Sequence, residues 1–163
     1  MPFEGPGART GDDARRAPPG EGSGVETVAK KRIRVVSAAI TRDGRYLITQ
    51  RQEKAVLPLL WEFPGGKVEP GESDEVALAR ELRERIGIDA KVAEHISSTE
   101  REYDKYVVEL HLYSCDIGDA QPVVGNVRDL RWVTSSEFGS YEFTPADQKS
   151  MDALLFPSRR KKR

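Results

Sequence analysis

Gly65-Gly66-Lys67-Val68-Glu69-Pro70-Gly71-Glu72-Ser73-Asp74-Glu75-Val76-Ala77-Leu78-Ala79-Arg80-Glu81-Leu82-Arg83-Glu84-Arg85-Ile86-Gly87-Ile88 reads as a tight loop running directly into a helix. The glycines and Pro70 bend the first part. Ser73 can cap a helix, Asp74 and Glu75 suit its positive first turn, and Gly87 ends it. Leu78, Ala79, Leu82 and Ile86 recur at helical spacing and make one apolar stripe. The polar face is charged. At about 100° per residue, Glu81 and Glu84 lie about 60° apart, with Arg85 about 40° to the other side of Glu81.

Outward from this segment the chain alternates between strand and helix patterns. Ile33 to Ile40 is apolar or small at nearly every position, as in a strand buried on both faces. Asp43-Gly44 supplies a hairpin turn, after which Tyr46-Leu47-Ile48-Thr49-Gln50 returns as a second strand. Residues 91–101, 107–115 and 127–133 read as further strands; Val108, Leu110 and Leu112 alternate with Val107, Glu109 and His111. Thr144-Pro145 opens a last helix with Met151, Leu154 and Leu155 on its apolar side. The expected class is α/β, a mixed β-sheet sandwiched between α-helices.

Composition sets the limits. The 163 residues carry 26 Lys and Arg against 27 Asp and Glu, a net charge of −1, which gives no reason to expect a nucleic-acid partner. No apolar run is long enough to span a membrane. Cys115 is the single cysteine, so no internal disulfide forms and a reducing, cytoplasmic setting is expected. Residues 1–30, rich in Pro and Gly, are expected to be a disordered tail, 31–156 the domain, and 157–163 a basic tail. Oligomeric state is not legible. His95 and His111 lie apart on separate strands and carry no ligand pattern; Cys115 reads as a packed side chain. Gly65-Gly66-Lys67 lacks the spacing of an ATP-binding loop.

Glu72, Glu81 and Glu84, with a backbone carbonyl from the glycine loop, form a hard oxygen set of the kind that suits Mg²⁺ or Mn²⁺. The plainer reading of the helix is an exposed face with Arg80/Glu84 and Glu81/Arg85 salt links, worth about 0.3–0.5 kcal/mol each. The spacing favours the first. Gly66, Glu72, Arg80-Glu81-Leu82, Glu84 and Gly87-Ile88 resemble the Nudix box: Gly, five residues, Glu, seven residues, Arg-Glu-aliphatic, any residue, Glu-Glu, any residue, Gly-aliphatic. Every fixed position is met but one, because Arg85 stands where the pattern has a second glutamate. The flanking Leu60-Trp61-Glu62-Phe63-Pro64-Gly65-Gly66-Lys67-Val68-Glu69 is similar to the MutT-type branch, which includes 8-oxo-dGTP diphosphatases and the CTP pyrophosphohydrolase. Phe143-Thr144-Pro145-Ala146-Asp147 resembles the start of the family's last helix.

The resemblance implies a Nudix fold and hydrolysis of a nucleoside triphosphate to monophosphate and pyrophosphate, with Mg²⁺ or Mn²⁺ bridging the phosphates. It implies Glu84 as a metal ligand, Gly66 as a carbonyl ligand, and Glu81 as a ligand through water or a base. Arg80 orients these glutamates and Glu72 pairs with Arg80. Arg51, Phe63, Tyr103 and Asp147 match substrate-binding positions. Asp147 can read a base edge as acceptor or, protonated, as donor. A second departure is Asn126, in a loop where relatives carry a further metal-binding glutamate. With Arg85 in place, two functions are open: a hydrolase using fewer metal ions, or a nucleotide-binding protein without turnover. A third is an interaction protein using the basic tail.

Overall fold

The structure, a computed structural model, describes residues 30–155. Its strands are β1 (Lys31–Ala39), β2 (Thr41–Arg42), β3 (Arg45–Gln50), β4 (Trp61–Glu62), β5 (Gly65–Lys67), β6 (Lys91–Glu102), β7 (Tyr106–Asp116) and β8 (Asp129–Val133). Among the described residues, two α-helices, α1 (Asp74–Ile86) and α2 (Pro145–Leu155), and a 3₁₀ helix, Ser135–Ser140, accompany them. The expected tails fall outside the described residues except Lys30, whose Nζ holds Glu102 Oε2 at 2.6 Å and the Tyr103 carbonyl at 2.8 Å.

The expected α/β architecture of mixed sheet and helices is present, with the strands divided between two sheets. The first has the order β5-β1-β7-β6, with β1 and β7 parallel and the other pairs antiparallel. The second is β2-β3-β4, with β8 also on β3. The Asp43-Gly44 turn is present, Asp43 at φ 52° and Gly44 at φ 78°. It joins β3 only to the two-residue β2, because β1 is already occupied on both edges by β5 and β7. Only the second half of β1 is buried; Lys31, Arg32 and Arg34 are exposed.

Two apolar clusters hold the layers together. Leu78, Leu82 and Ile86 of α1 are fully buried against Val36, Ala38, Ile40, Leu47 and Val127. Each such side chain contributes about 1.5–3 kcal/mol. On the other side Ile48, Trp61, Phe63, Leu112, Phe138 and Phe143 are packed with Met151 and Leu154 of α2. Leu155, expected on that apolar side, is exposed at the end of the helix. The two histidines are not apart: register shifts in β6 on both sides of His95 bring its Nε2 to 3.0 Å from His111 Nδ1. Cys115 is buried and free, and burial pushes its thiol up to about 12.

Candidate active site

The loop–helix junction is built by local rules. Ser73 Oγ accepts from Val76 N–H at 3.1 Å, and Gly87 closes α1 at φ 67°. Arg80 then ties the loop to the helix. Its Nε and Nη2 clamp the two oxygens of Glu72 at 2.7 and 2.8 Å, while Nη2 also reaches the Lys67 carbonyl at 3.0 Å. Glu72 Oε1 accepts from Glu69 N–H, fixing the turn itself. The Arg80 guanidinium holds the Glu72 carboxyl below the usual carboxylate range.

Glu81 is buried, and both its oxygens are engaged. Oε2 accepts from Arg80 Nη1 at 3.0 Å and Oε1 from Arg85 Nε at 2.7 Å. Its carboxylate fills the space beside Gly66, where an added Cβ would stand 2.2 Å from Glu81 Cδ. Glu84 is exposed on the next turn, with Arg80 Nη1 at 3.6 Å. Behind it, the segment carrying Asn126 straps the end of α1: the N–H groups of Val123, Gly125 and Asn126 donate to the carbonyls of Ile86, Arg85 and Glu84. Gly125 has no room for a Cβ there, 2.8 Å from the Glu84 carbonyl.

The carbonyl expected of Gly66 is otherwise engaged. Ala38 N–H to Pro64 O and Val68 N–H to Arg34 O bracket the Val36–Gly66 pair. In an antiparallel ladder this alternation makes Val36 and Gly66 a hydrogen-bonded pair. Gly65, opposite Ser37 in the non-bonded pair, is the glycine whose carbonyl faces away from β1.

Among the described residues no group of three or more His, Cys, Asp or Glu is arranged to hold a metal ion. The junction brings together three carboxylates, Glu72, Glu81 and Glu84, and two guanidiniums, Arg80 and Arg85, a net −1. Both oxygens of Glu72 and of Glu81 are taken by guanidinium, which leaves Glu84 as the exposed carboxylate of the set; that suits one hard divalent cation that keeps most of its waters and does not suit a cluster of ions.

A cleft runs from this junction to the start of α2, lined among others by Gly65, Gly66, Lys67, Arg85, Tyr103 and Asp147. At its far end Thr144 Oγ1 accepts from Asp147 N–H, capping α2, and donates to Asp147 Oδ2; Phe63 N–H donates to Asp147 Oδ1 at 3.2 Å. Burial, then the neighbouring Glu62 charge, raise Asp147 to about 7. Arg51 lies in the wall, its Nε on the Val56 carbonyl and Nη1 on Glu62 Oε1 at 3.0 Å. The Phe63 ring packs edge-on against Phe138 and Tyr46, and its amide holds Asp147. Tyr103 is in the wall with the Arg101 guanidinium over its ring. Glu62, Lys67 and Arg101 line the cleft too, and sequence reading passed over them; Glu62 sits inside the quoted Trp61-Glu62-Phe63 run, but nothing there shows that it faces Asp147.

Comparison with known proteins identifies the family. The family model described as NUDIX domain matches residues 35–153. The chain is 39% identical over 125 residues to the CTP pyrophosphohydrolase of Escherichia coli (strain K12), covering 77% of this chain and 93% of that protein. It is 35% identical over 127 residues to an 8-oxo-dGTP diphosphatase of Haemophilus influenzae, again covering 77% and 93%. Among solved structures, the solution structure of the E. coli ORF135 protein superposes with a TM-score of 0.69 at 38% identity, covering 80% of this chain and 93% of that one. The chain belongs to the NUDIX domain family and is a Nudix hydrolase related to the CTP pyrophosphohydrolase and 8-oxo-dGTP diphosphatases.

Proposed function

We propose that the chain hydrolyses a nucleoside triphosphate, oxidised bases included, to the monophosphate and pyrophosphate, and so cleanses the nucleotide pool. The observation that carries this reading is the single cleft joining two unlike ends: a cationic end at Gly66, Lys67 and Arg85, suited to a polyphosphate, and a buried end at Asp147, suited to a base edge. The E. coli and Haemophilus relatives support the substrate class.

Glu84 and the Gly65 carbonyl would hold one Mg²⁺ or Mn²⁺, which supplies charge neutralisation on the phosphates and a more acidic water. Arg80 and Glu72 keep the loop and helix in register. Asp147 orients the base and Arg51, tied to Glu62, holds the wall beside it. One water adds at phosphorus, the α–β anhydride bond breaks, and monophosphate and pyrophosphate leave. The test is product analysis with CTP and 8-oxo-dGTP in Mg²⁺ and in Mn²⁺. Monophosphate and pyrophosphate in equal amounts are expected; orthophosphate as the product would overturn the reading.

A second reading rests on the 2.7 Å Arg85–Glu81 contact, which engages a carboxylate of the junction. It makes the chain a nucleotide-binding protein without turnover. Stoichiometric nucleotide binding with no product in either metal would select it.

A further inference from the structure

We propose that Arg85 is a direct phosphate-binding residue, so that the protein grips a polyphosphate without any metal ion, and that Glu81 serves to position it. The inference deepens the nucleotide reading, on which it rests for the kind of anion expected.

Four observations carry it. Arg85 is 8% exposed and lines the cleft, in company with Gly65, Gly66 and Lys67. Of its five N–H donors only Nε has a protein partner among the described residues, Glu81 Oε1. The two Nη groups are therefore presented as a fork, the geometry that matches two oxygens of a phosphate. The fork is also held still. Glu72 clamps Arg80, Arg80 clamps Glu81, and Glu81 clamps Arg85, so each side chain is ordered before an anion arrives. A ligand that meets a preordered donor loses less conformational freedom on binding. Finally, a cation at Glu81 Oε1 would have to displace Nε and then sit beside the same guanidinium. The positive charge a phosphate needs at this point is thus already covalently part of the chain.

The alternative, in which Arg85 merely neutralises Glu81, predicts the same structure but no anion affinity at the fork. Isothermal titration with inorganic tripolyphosphate in EDTA separates the two, because this probe has no base and is read without catalysis. Wild-type protein is expected to bind it in EDTA. Arg85→Ala and Arg85→Glu should weaken binding at least tenfold, and Arg85→Lys, which keeps the charge but loses the fork, should fall between. Melting curves check folding, and should the alanine variant not fold, the lysine and glutamate variants carry the comparison. Binding in EDTA that is the same in wild type and every folded variant would overturn the proposal; so would wild-type binding that appears only with Mg²⁺. Arg85-dependent tripolyphosphate binding without any nucleotide turnover would sink the hydrolase reading and leave this one intact. Turnover in Mg²⁺ with Arg85-independent binding in EDTA would do the reverse.

Discussion

The Glu81 carboxylate lies where a side chain at Gly66 would have to begin, 2.2 Å from the position of the missing Cβ. Two guanidiniums hold it there, so it cannot swing aside freely. Gly66→Ala is therefore expected to destabilise the protein by about 1–3 kcal/mol, as overpacking does. Urea unfolding measures it, and in a double-mutant cycle Glu81→Ala should absorb most of the cost.

Arg80 makes a two-pronged contact with Glu72 that lysine cannot reproduce. Arg80→Lys should lower hydrolysis about 10- to 100-fold, the usual effect of losing an outer orienting group. Nucleotide affinity should change less than turnover, since Arg80 touches loop and helix rather than the cleft. Steady-state kinetics separate the two quantities.

Arg85→Glu adds a carboxylate beside Glu81 and Glu84 and removes a positive charge. Mn²⁺ binding, followed by titration calorimetry, should tighten at least tenfold, because the net charge at the junction falls from −1 to −3.

Asp147 is raised from an ordinary 3.8 to about 7. Below that value it is protonated and donates; above it, it only accepts. The Michaelis constant for the preferred substrate should thus change across pH 6–8, and Asp147→Asn should flatten the profile. A raised acid binds its proton more tightly in the folded state. Its contribution to stability is full below about pH 4 and is lost as pH rises towards 7.

Asp74 has the opposite sign. Its carboxylate takes Arg34 Nε at 2.7 Å, Arg34 Nη2 at 2.8 Å and the Tyr113 hydroxyl at 2.5 Å, and the Arg34 bond leads in lowering it from 3.8 to about 2. That stability is present above pH 4 and lost as pH falls through about 2. Asp74→Asn should cost about 1 kcal/mol at neutral pH, once solvent screening at the exposed Arg34 is allowed for, and nearly nothing near pH 2, measured by chemical denaturation across pH.

The loop–helix segment was legible because its determinants are local: Ser73, Gly87 and the Leu78–Leu82–Ile86 stripe each act within a few residues. The same holds for the alternation of β7, where Val108, Leu110 and Leu112 are buried. Sheet membership was not legible. Whether β1 pairs with β3 or with β5 and β7 depends on contacts far apart in sequence, and the Asp43-Gly44 turn alone favours the wrong partner. The site divides the same way. The pairing of Glu72 and Glu81 with Arg80 was foreseen through the family resemblance. That Glu62 faces Asp147 depends on how β4 meets α2, and that the carbonyl turned away from β1 belongs to Gly65 depends on ladder parity; neither leaves a trace in residue spacing.

The strap formed by Val123, Gly125 and Asn126 has a dynamic consequence. Three amides of one segment are secured by the terminal carbonyls of α1, so they are released together when the strap peels from the helix end. Deuterium uptake at Val123 and Gly125 should follow a common opening rate, and Gly125→Ala, which forces the strap off, should accelerate it for both.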